Sequence, residues 1–173
     1  IYTSPMLDLE STYCILIDNL VNANTTNETL PSGGAALNKY ISQTITLAQG
    51  QEANDFNVYL TNYRPPGTDV LVYCKLMNQY DPDSFDSKPW IQMEYQGTSG
   101  QKYSSVADSS NYIEYAYLLP TSVKTGPNGE FQYTTNGTTY TNFQYFAIKV
   151  VLTSSNPAVI SKASELRAIA LQL

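Results

Sequence analysis

The chain of 173 residues has the length of one domain, with 42% apolar residues, 14% charged residues and a net charge of −6. This acidic balance leaves no basic surface for phosphate backbones, so nucleic-acid binding is not expected. The absence of histidine excludes imidazole general bases and histidine-ligated metal sites. No apolar run reaches the ~20 residues of a membrane-spanning helix, so no membrane insertion is expected. Because the chain begins at Ile1 and not at Met, we expect a processed product or a fragment of a longer protein.

Tyrosine is unusually frequent, with 15 residues against five Phe and one Trp. A Tyr ring suits a half-buried strand, because the ring packs while the hydroxyl stays in water. Tyr is also enriched in recognition surfaces, so the same count is compatible with a binding face. Most of these rings are expected on strands with one edge in solvent.

Residues 1–38 predict an N-terminal arm that holds a first strand and a long polar loop. The strand is the apolar run at 13–17, which ends at Asp18-Asn19. The loop is the Asn- and Thr-rich stretch at 22–34, because Pro31 and Gly33-Gly34 break regular structure there. Cys14 and Cys74 are the only cysteines, and we expect two buried free thiols, with a disulfide as the alternative if their strands pair.

The next segments predict three strands. Residues 39–47 alternate imperfectly, which suits an edge strand. Residues 56–61 and 70–76 alternate strictly, so that one face of each strand is apolar. Between them Pro66-Gly67 suits the centre of a type II turn, because Pro presets φ and Gly accepts a positive φ. We therefore expect these two strands to be neighbours.

Further along the chain, a loop at 81–89 precedes a short strand at 90–94, and residues 112–119 predict another strand closed by Pro120. Asn136-Gly137 between two β-forming runs predicts a hairpin with a type I′ turn. That register places Tyr133 opposite Tyr140.

The end of the chain predicts one clear strand and one ambiguous segment. Residues 145–152 alternate, with Phe146, Ile148, Val150 and Leu152 facing inward. Residues 158–173 fit an apolar helix face and a strand equally well. With many short strands and little helix, the sequence predicts an all-β protein, an antiparallel sandwich in one domain.

Several segments together resemble a known family. They are YISQTITL at 40–47, FNVYLTNYRPPGTDV at 56–70, DSFDSKPW at 83–90, YFAIKVVLTSSNP at 145–157 and LRAIAL at 166–171. These segments resemble a domain of virion structural proteins, from the tail, baseplate or tail fibre, of tailed, T4-like bacteriophages. The resemblance implies a jelly-roll-like β-sandwich body over residues 39–173, whose last two strands contain Phe146 and Leu166. It also implies assembly in the host cytoplasm and a place in the tail region of the virion, with other virion proteins or copies of itself as partners.

One loop carries candidate metal ligands. Asp81, Asp83 and Asp86 offer carboxylate oxygens to calcium, the one cofactor that the sequence suggests. The loop lacks the Gly and Glu of an EF-hand, and acidic residues are common in turns because Asp bonds its own backbone. Acidic turn chemistry is therefore the competing interpretation.

The same loop is bracketed by aromatic residues. Trp90 and Tyr80 are candidate contacts for a host surface glycan, since exposed aromatic rings stack on sugars. Packing of Trp90 at the edge of the sandwich is the competing interpretation.

No nucleophile-elbow, P-loop, zinc-protease or dinucleotide motif occurs in the sequence, so we do not expect an enzyme. The leading hypothesis is a non-catalytic structural domain of a virion that acts through subunit interfaces. The alternative is a carbohydrate-binding or host-receptor-recognition module on the same sandwich.

Overall fold

Strands dominate the part of the chain that the computed structural model describes, residues 23–96, 103–156 and 158–172. The helical residues there form two single-turn 3-10 helices, Phe85–Ser87 and Thr121–Val123, and no described helix is long or apolar enough to cross a membrane. The strands are β1 Lys39–Ile41, β2 Ile45–Thr46, β3 Asp55–Tyr63, β4 Thr68–Met77, β5 Ile91–Gln92, β6 Glu94–Gln96, β7 Ile113–Leu118, β8 Tyr133–Thr135, β9 Thr138–Tyr140, β10 Tyr145–Ser154 and β11 Lys162–Leu171.

The strands form two antiparallel sheets and a separate hairpin. The first sheet, which we call the β10 sheet, has the order β1-β10-β4-β5, and β2 also pairs with β10. The second, the β3 sheet, has the order β11-β3-β7-β6, and β8 pairs with β9. The chain changes sheet between β2 and β3, β3 and β4, β5 and β6, and β10 and β11, and it returns from β7 to β10 through the hairpin. The predicted all-β, antiparallel, jelly-roll-like sandwich with little helix is confirmed.

The core lies between the two sheets, and the predicted inward faces build it. Phe56, Val58 and Leu60 of β3 are at most 1% exposed. The ring of Phe56 lies 5.8 Å from the ring of Phe143 and 4.9 Å from that of Phe146, which is the range of favourable aromatic pairs. The other buried apolar residues of this core are Ala53, Val70, Val72, Cys74, Leu76, Met93, Tyr115, Tyr117, Leu119, Phe131, Ile148 and Val150.

The prediction that the strands at 56–61 and 70–76 are neighbours is wrong, because β3 and β4 lie in opposite sheets. The predicted turn does form: the Thr68 amide donates to the Pro65 carbonyl at 3.1 Å, and Gly67 has φ +87°. It carries the chain from one sheet to the other. Alternation identifies the buried face of each strand, and two such faces are buried equally well when they face each other across a core.

Most other local predictions hold. The hairpin forms with Tyr133 opposite Tyr140, and their rings stack at 5.3 Å. The segment predicted as an edge strand forms β1 and β2 at the edge of the β10 sheet, and the ambiguous tail is β11. The strand predicted at 90–94 splits at Met93 between the two sheets. Residues 13–17 and Cys14 lie outside the described residues, and Cys74 is a buried free thiol.

The inward face of β3 gives a direct test of the core. We expect Phe56→Ala to lower the free energy of unfolding by about 3–5 kcal/mol, because it removes a fully buried ring and leaves a cavity. Leu37→Ala, at a side chain that is 56% exposed, is the control and should change it by less than about 0.5 kcal/mol. Urea denaturation measures both, and equal effects of the two changes would contradict the assigned core.

Candidate functional site

One long side of the sandwich is open. Its border in the β3 sheet is β11, which pairs with β3 and with no other strand among the described residues. Seven consecutive residues of β11, at 163–169, are exposed, so the residues that the structure describes bury neither face of that stretch. The strands opposite, β1 and β2, have three and two residues and are too short to cover it.

An apolar groove of about 360 Å³ runs between β1 and β11. Its floor includes core side chains of both sheets, Leu60 and Val150, and its rims include Tyr40 and Leu166. Other large apolar side chains exposed near β1 are Leu37, Ile41 and Ile45. We call β11, β1 and this groove together the open edge.

The charged residues of β11 lie on one face. Glu165 pairs in register with Thr61 and Arg167 with Tyr59, which places both side chains on the outer face of the β3 sheet. Arg167 bonds the Glu114 carboxylate and has a longer contact of 3.9 Å from its Nε to Glu165. Leu166, Ala168 and Ala170 alternate with them, so the inner face of β11 carries no charge.

The acidic loop forms a closed network around one lysine. The Lys88 ammonium lies 2.6 Å from Asp81 Oδ2 and 2.7 Å from Asp83 Oδ2. The Tyr133 hydroxyl donates to Asp81 Oδ2 at 2.7 Å, and the Thr135 hydroxyl donates to Asp83 at 2.9 Å. Burial by itself would raise the pKa of Asp81, but the hydrogen bonds from Lys88 and Tyr133 hold that pKa below its usual range. The hairpin β8-β9 is thereby tied to the loop.

This network bears on the predicted calcium ligands. Asp81 and Asp83 are brought together, but Lys88 occupies the space between them. Asp86 contributes its backbone carbonyl to a bond from the Lys75 ammonium at 3.1 Å. Among the described residues, no group of three Asp, Glu, Cys or His side chains is placed to hold a metal ion. Calcium binding by Asp81, Asp83 and Asp86 stays a prediction, and it would require Lys88 to leave.

The structure separates the two predicted glycan contacts. Trp90 is only 4% exposed and packs with Tyr73, Ala147 and Val151 on the outer face of the β10 sheet, so it packs as the competing interpretation holds and is not placed for glycan contact. The physical reason is that the loop before β1 covers this face, and the Trp90 amide donates to its Thr29 carbonyl at 2.9 Å. Tyr80 is 75% exposed.

A buried ion pair holds this covering loop, and sequence reasoning missed it. Lys149 of β10 is 0% exposed, and its ammonium donates to Glu28 Oε2 at 2.9 Å and to the Glu28 and Gly33 carbonyls at 2.6 and 3.2 Å. The same ammonium lies 4.4 Å from the centre of the Tyr73 ring. Burial would raise the pKa of the Glu28 carboxyl, but bonds from Lys149 and the Ala36 amide hold it below its usual range.

A second cleft, of about 790 Å³, lies between the edge of β4 and β6, on the side opposite the open edge. Aromatic and polar side chains line it together, among them Tyr95 and Arg64. Arg64 is buried, bonds Asp69 through Nη2, and has no hydrogen-bond partner at Nε or Nη1. Aromatic rings beside a few convergent polar groups are typical of sites for polar ligands.

Comparisons with known proteins leave the family open. No protein-family model and no curated protein match the chain. Among solved structures, the chain is similar to the crystal structure of the infectious bursal disease virus VP2 subviral particle, with 11% sequence identity and a TM-score of 0.33. The match covers 98% of this chain and 37% of that chain. A likeness this distant does not bear on the function of the chain.

The buried pair gives a test of the covering loop. We expect Lys149→Met to lower the free energy of unfolding by about 3–5 kcal/mol, because it leaves the Glu28 carboxylate buried without its cation. The double variant Glu28→Gln/Lys149→Met removes both charges, so its free energy of unfolding should fall by less than that of Lys149→Met. Urea denaturation measures these values, with Lys162→Met, at a partly exposed lysine, as the control.

The contribution of the same pair to the free energy of unfolding should depend on pH. Since the folded pKa of Glu28 is below the unfolded value of 4.5, its contribution is present above pH 4.5 and is lost as the pH falls through the folded value. Wild type should therefore lose more stability than Glu28→Gln between pH 7 and about pH 3. Equal losses would show that the pair does not stabilise the loop.

Proposed function

We propose that this chain is a non-catalytic assembly domain of a bacteriophage virion, in the tail, baseplate or fibre, and that it acts through subunit interfaces. The observation that carries the proposal is the open edge. A ten-residue strand with seven exposed residues, whose outer border pairs with no other described strand, is a template for pairing with another chain. The resemblance of the sequence to virion proteins of tailed phages supports the viral setting.

The surface chemistry of the open edge supports the same proposal. Tyr40 and Leu166 border an apolar groove, and Leu37 and Ile41, which do not line it, are exposed apolar residues just before β1 and in β1. Contiguous exposed apolar surface rimmed by polar residues is typical of protein interaction sites. The partners in this proposal are other virion proteins or further copies of the chain, in the tail region of a particle assembled in the host cytoplasm.

Particle composition tests this proposal. We expect mass spectrometry of purified virions to detect the chain, and Leu166→Asp in the phage genome to reduce the yield of complete particles, because it places a charge on the inner face of β11. Val106→Asp, at a residue that is 68% exposed and does not line the groove, is the matched control. Absence of the chain from purified virions would contradict the proposal.

A second proposed function is recognition of a host surface glycan, and two observations favour it. The Tyr80 ring is exposed while its carbonyl accepts a bond from the Tyr140 hydroxyl at 3.2 Å, so the hairpin holds the Tyr80 backbone in place. The cleft beside Arg64 and Tyr95 offers a separate place for a polar ligand. The proposal of glycan recognition does not include Trp90, because that side chain is buried.

Glycan binding is tested with the purified chain on a panel of host surface glycans, with and without calcium. If Tyr80 stacks on a sugar, Tyr80→Ala should weaken binding by about tenfold or more, which corresponds to the loss of one exposed aromatic contact. Tyr40→Ala, at a Tyr that is 59% exposed on the open edge, is the control and should bind like wild type. Absence of saturable binding at millimolar ligand would leave the assembly function alone.

A further inference from the structure

The free border of β11 has the properties of a self-complementary strand. In an antiparallel sheet, every second residue of an edge strand points its N–H and C=O groups away from its one partner. These groups of β11 face away from β3, and no other described strand pairs with them. A β-bulge between Ala163 and Glu165 leaves the residues from Glu165 to Leu171 in regular register with β3. This regular part is available for a second pairing.

We infer that two copies of this chain pair β11 with β11, antiparallel and about a two-fold axis, with Leu166 opposite Leu166 of the other copy. The inference rests on the proposed assembly function and names one interface for it. The two β3 sheets would join into one continuous sheet across the axis. The occupant of this part of the open edge is therefore a second copy of the chain.

Charge complementarity selects this register. With Leu166 on the axis, Glu165 of each copy lies directly opposite Arg167 of the other, which gives two opposite-charge pairs. With Glu165 on the axis two carboxylates would meet, and with Arg167 on the axis two guanidinium groups would meet. With Ala168 on the axis, Glu165 would lie opposite Leu171 and both pairs would be lost. In this register the regular parts of the two strands meet at residues 165–167, which include both charge pairs, and residues 168–171 of each copy lie opposite the bulged residues 161–164 of the other.

The side chains are already placed for these contacts. Glu165 and Arg167 point to the same outer face, and residues directly opposite across an antiparallel pair share a face. Arg167 has five N–H donors, so it can keep its bond to Glu114 while it binds Glu165 of the other copy. Both side chains are more than half exposed in the single chain, at 55% for Arg167 and 62% for Glu165.

Apolar contacts accompany the charges. Leu166 is 37% exposed and Ile169 is 43% exposed, on opposite faces of the same border. Joining the two strands removes part of this surface from water on both faces of the sheet, which favours association. The inner face carries no charge that would oppose it, although inward charges are a common protection of edge strands.

The test is the oligomeric state of the purified 173-residue chain, followed by sedimentation over a concentration series. We expect a reversible dimer. Glu165→Arg and Arg167→Glu should each weaken the dimer by about tenfold or more, because each places like charges opposite one another. The double variant Glu165→Arg/Arg167→Glu restores opposite charges and should dimerise within about threefold of wild type. Glu94→Arg on β6, at the other border of the same sheet, is the control and should leave the dimer unchanged.

A cross-link tests the register independently. Leu166→Cys should form a disulfide-linked dimer on mild oxidation, since the two Cα atoms would be ~5 Å apart across the axis. Ile169→Cys should not, because residue 169 would lie opposite residue 163. Unchanged thermal melting of each variant shows that the fold is kept.

Three results would overturn the inference: a monomer at all concentrations, a dimer insensitive to both charge reversals, or a monomer whose β11 amides are protected from hydrogen exchange by another segment of the chain. These results are distinct from failure of the proposed function. A monomer found in purified virions would remove the β11 pairing alone, whereas a dimer absent from virions would remove the assembly function alone.

Discussion

The contact between the Lys149 ammonium and Glu28 organises the surface of this sandwich. It joins β10 to a loop more than a hundred residues earlier in the chain and holds that loop over the outer face of the β10 sheet. Trp90, Tyr73 and Val151 are buried beneath it and form a second small core. Without this cover, an aromatic face of the sheet would be exposed to water. The charge pair is stable in that place because the ammonium has three acceptors and an aromatic ring around it.

With the outer face of the β10 sheet covered by this loop, the exposed apolar surface to be considered lies along the two long sides of the sandwich. The side of the sandwich near β5 and β6 is bridged by the chain itself, which passes from one sheet to the other at Met93. On the opposite side the border strands are β1 and β2 in one sheet and β11 in the other, and the two short strands leave residues 163–169 of β11 exposed among the described residues. Each side of the sandwich has a cleft, but among the described residues only one side has a long border strand, because β5 and β6 have two and three residues whereas β11 has ten. The assembly proposal follows from this asymmetry of the sandwich.

The sequence predicted those features that one strand determines by itself. The buried faces of β3, β4 and β10 follow from period-two alternation, and the Asn136-Gly137 turn follows from the φ angles that these residues accept. Apart from the β8–β9 hairpin it did not predict which strands pair. Alternation shows which face of a strand is apolar but not which strand lies beside it in the sheet. Lys149 was missed for a similar reason: a charged residue that alternates with apolar ones predicts a solvent-facing position, and its partner is distant in the sequence. Trp90 is buried by the same distant loop.

The apolar pattern of residues 158–173 did not distinguish a helix from a strand, and the reason bears on the proposed interface. Residues 158–173 fitted helix and strand equally because both faces of β11 contain apolar residues, Leu166 and Ala170 on one face and Ile169 and Leu171 on the other. The inner face of β11 is apolar, while its outer face carries Glu165 and Arg167 beside the apolar Ile169 and Leu171, so neither face is wholly polar. In a parallel or central strand, the folded domain itself accounts for this pattern. In β11 the described residues leave 163–169 exposed, and the apolar side chains there, Leu166 and Ile169, are those that the inferred pairing with a second copy would cover.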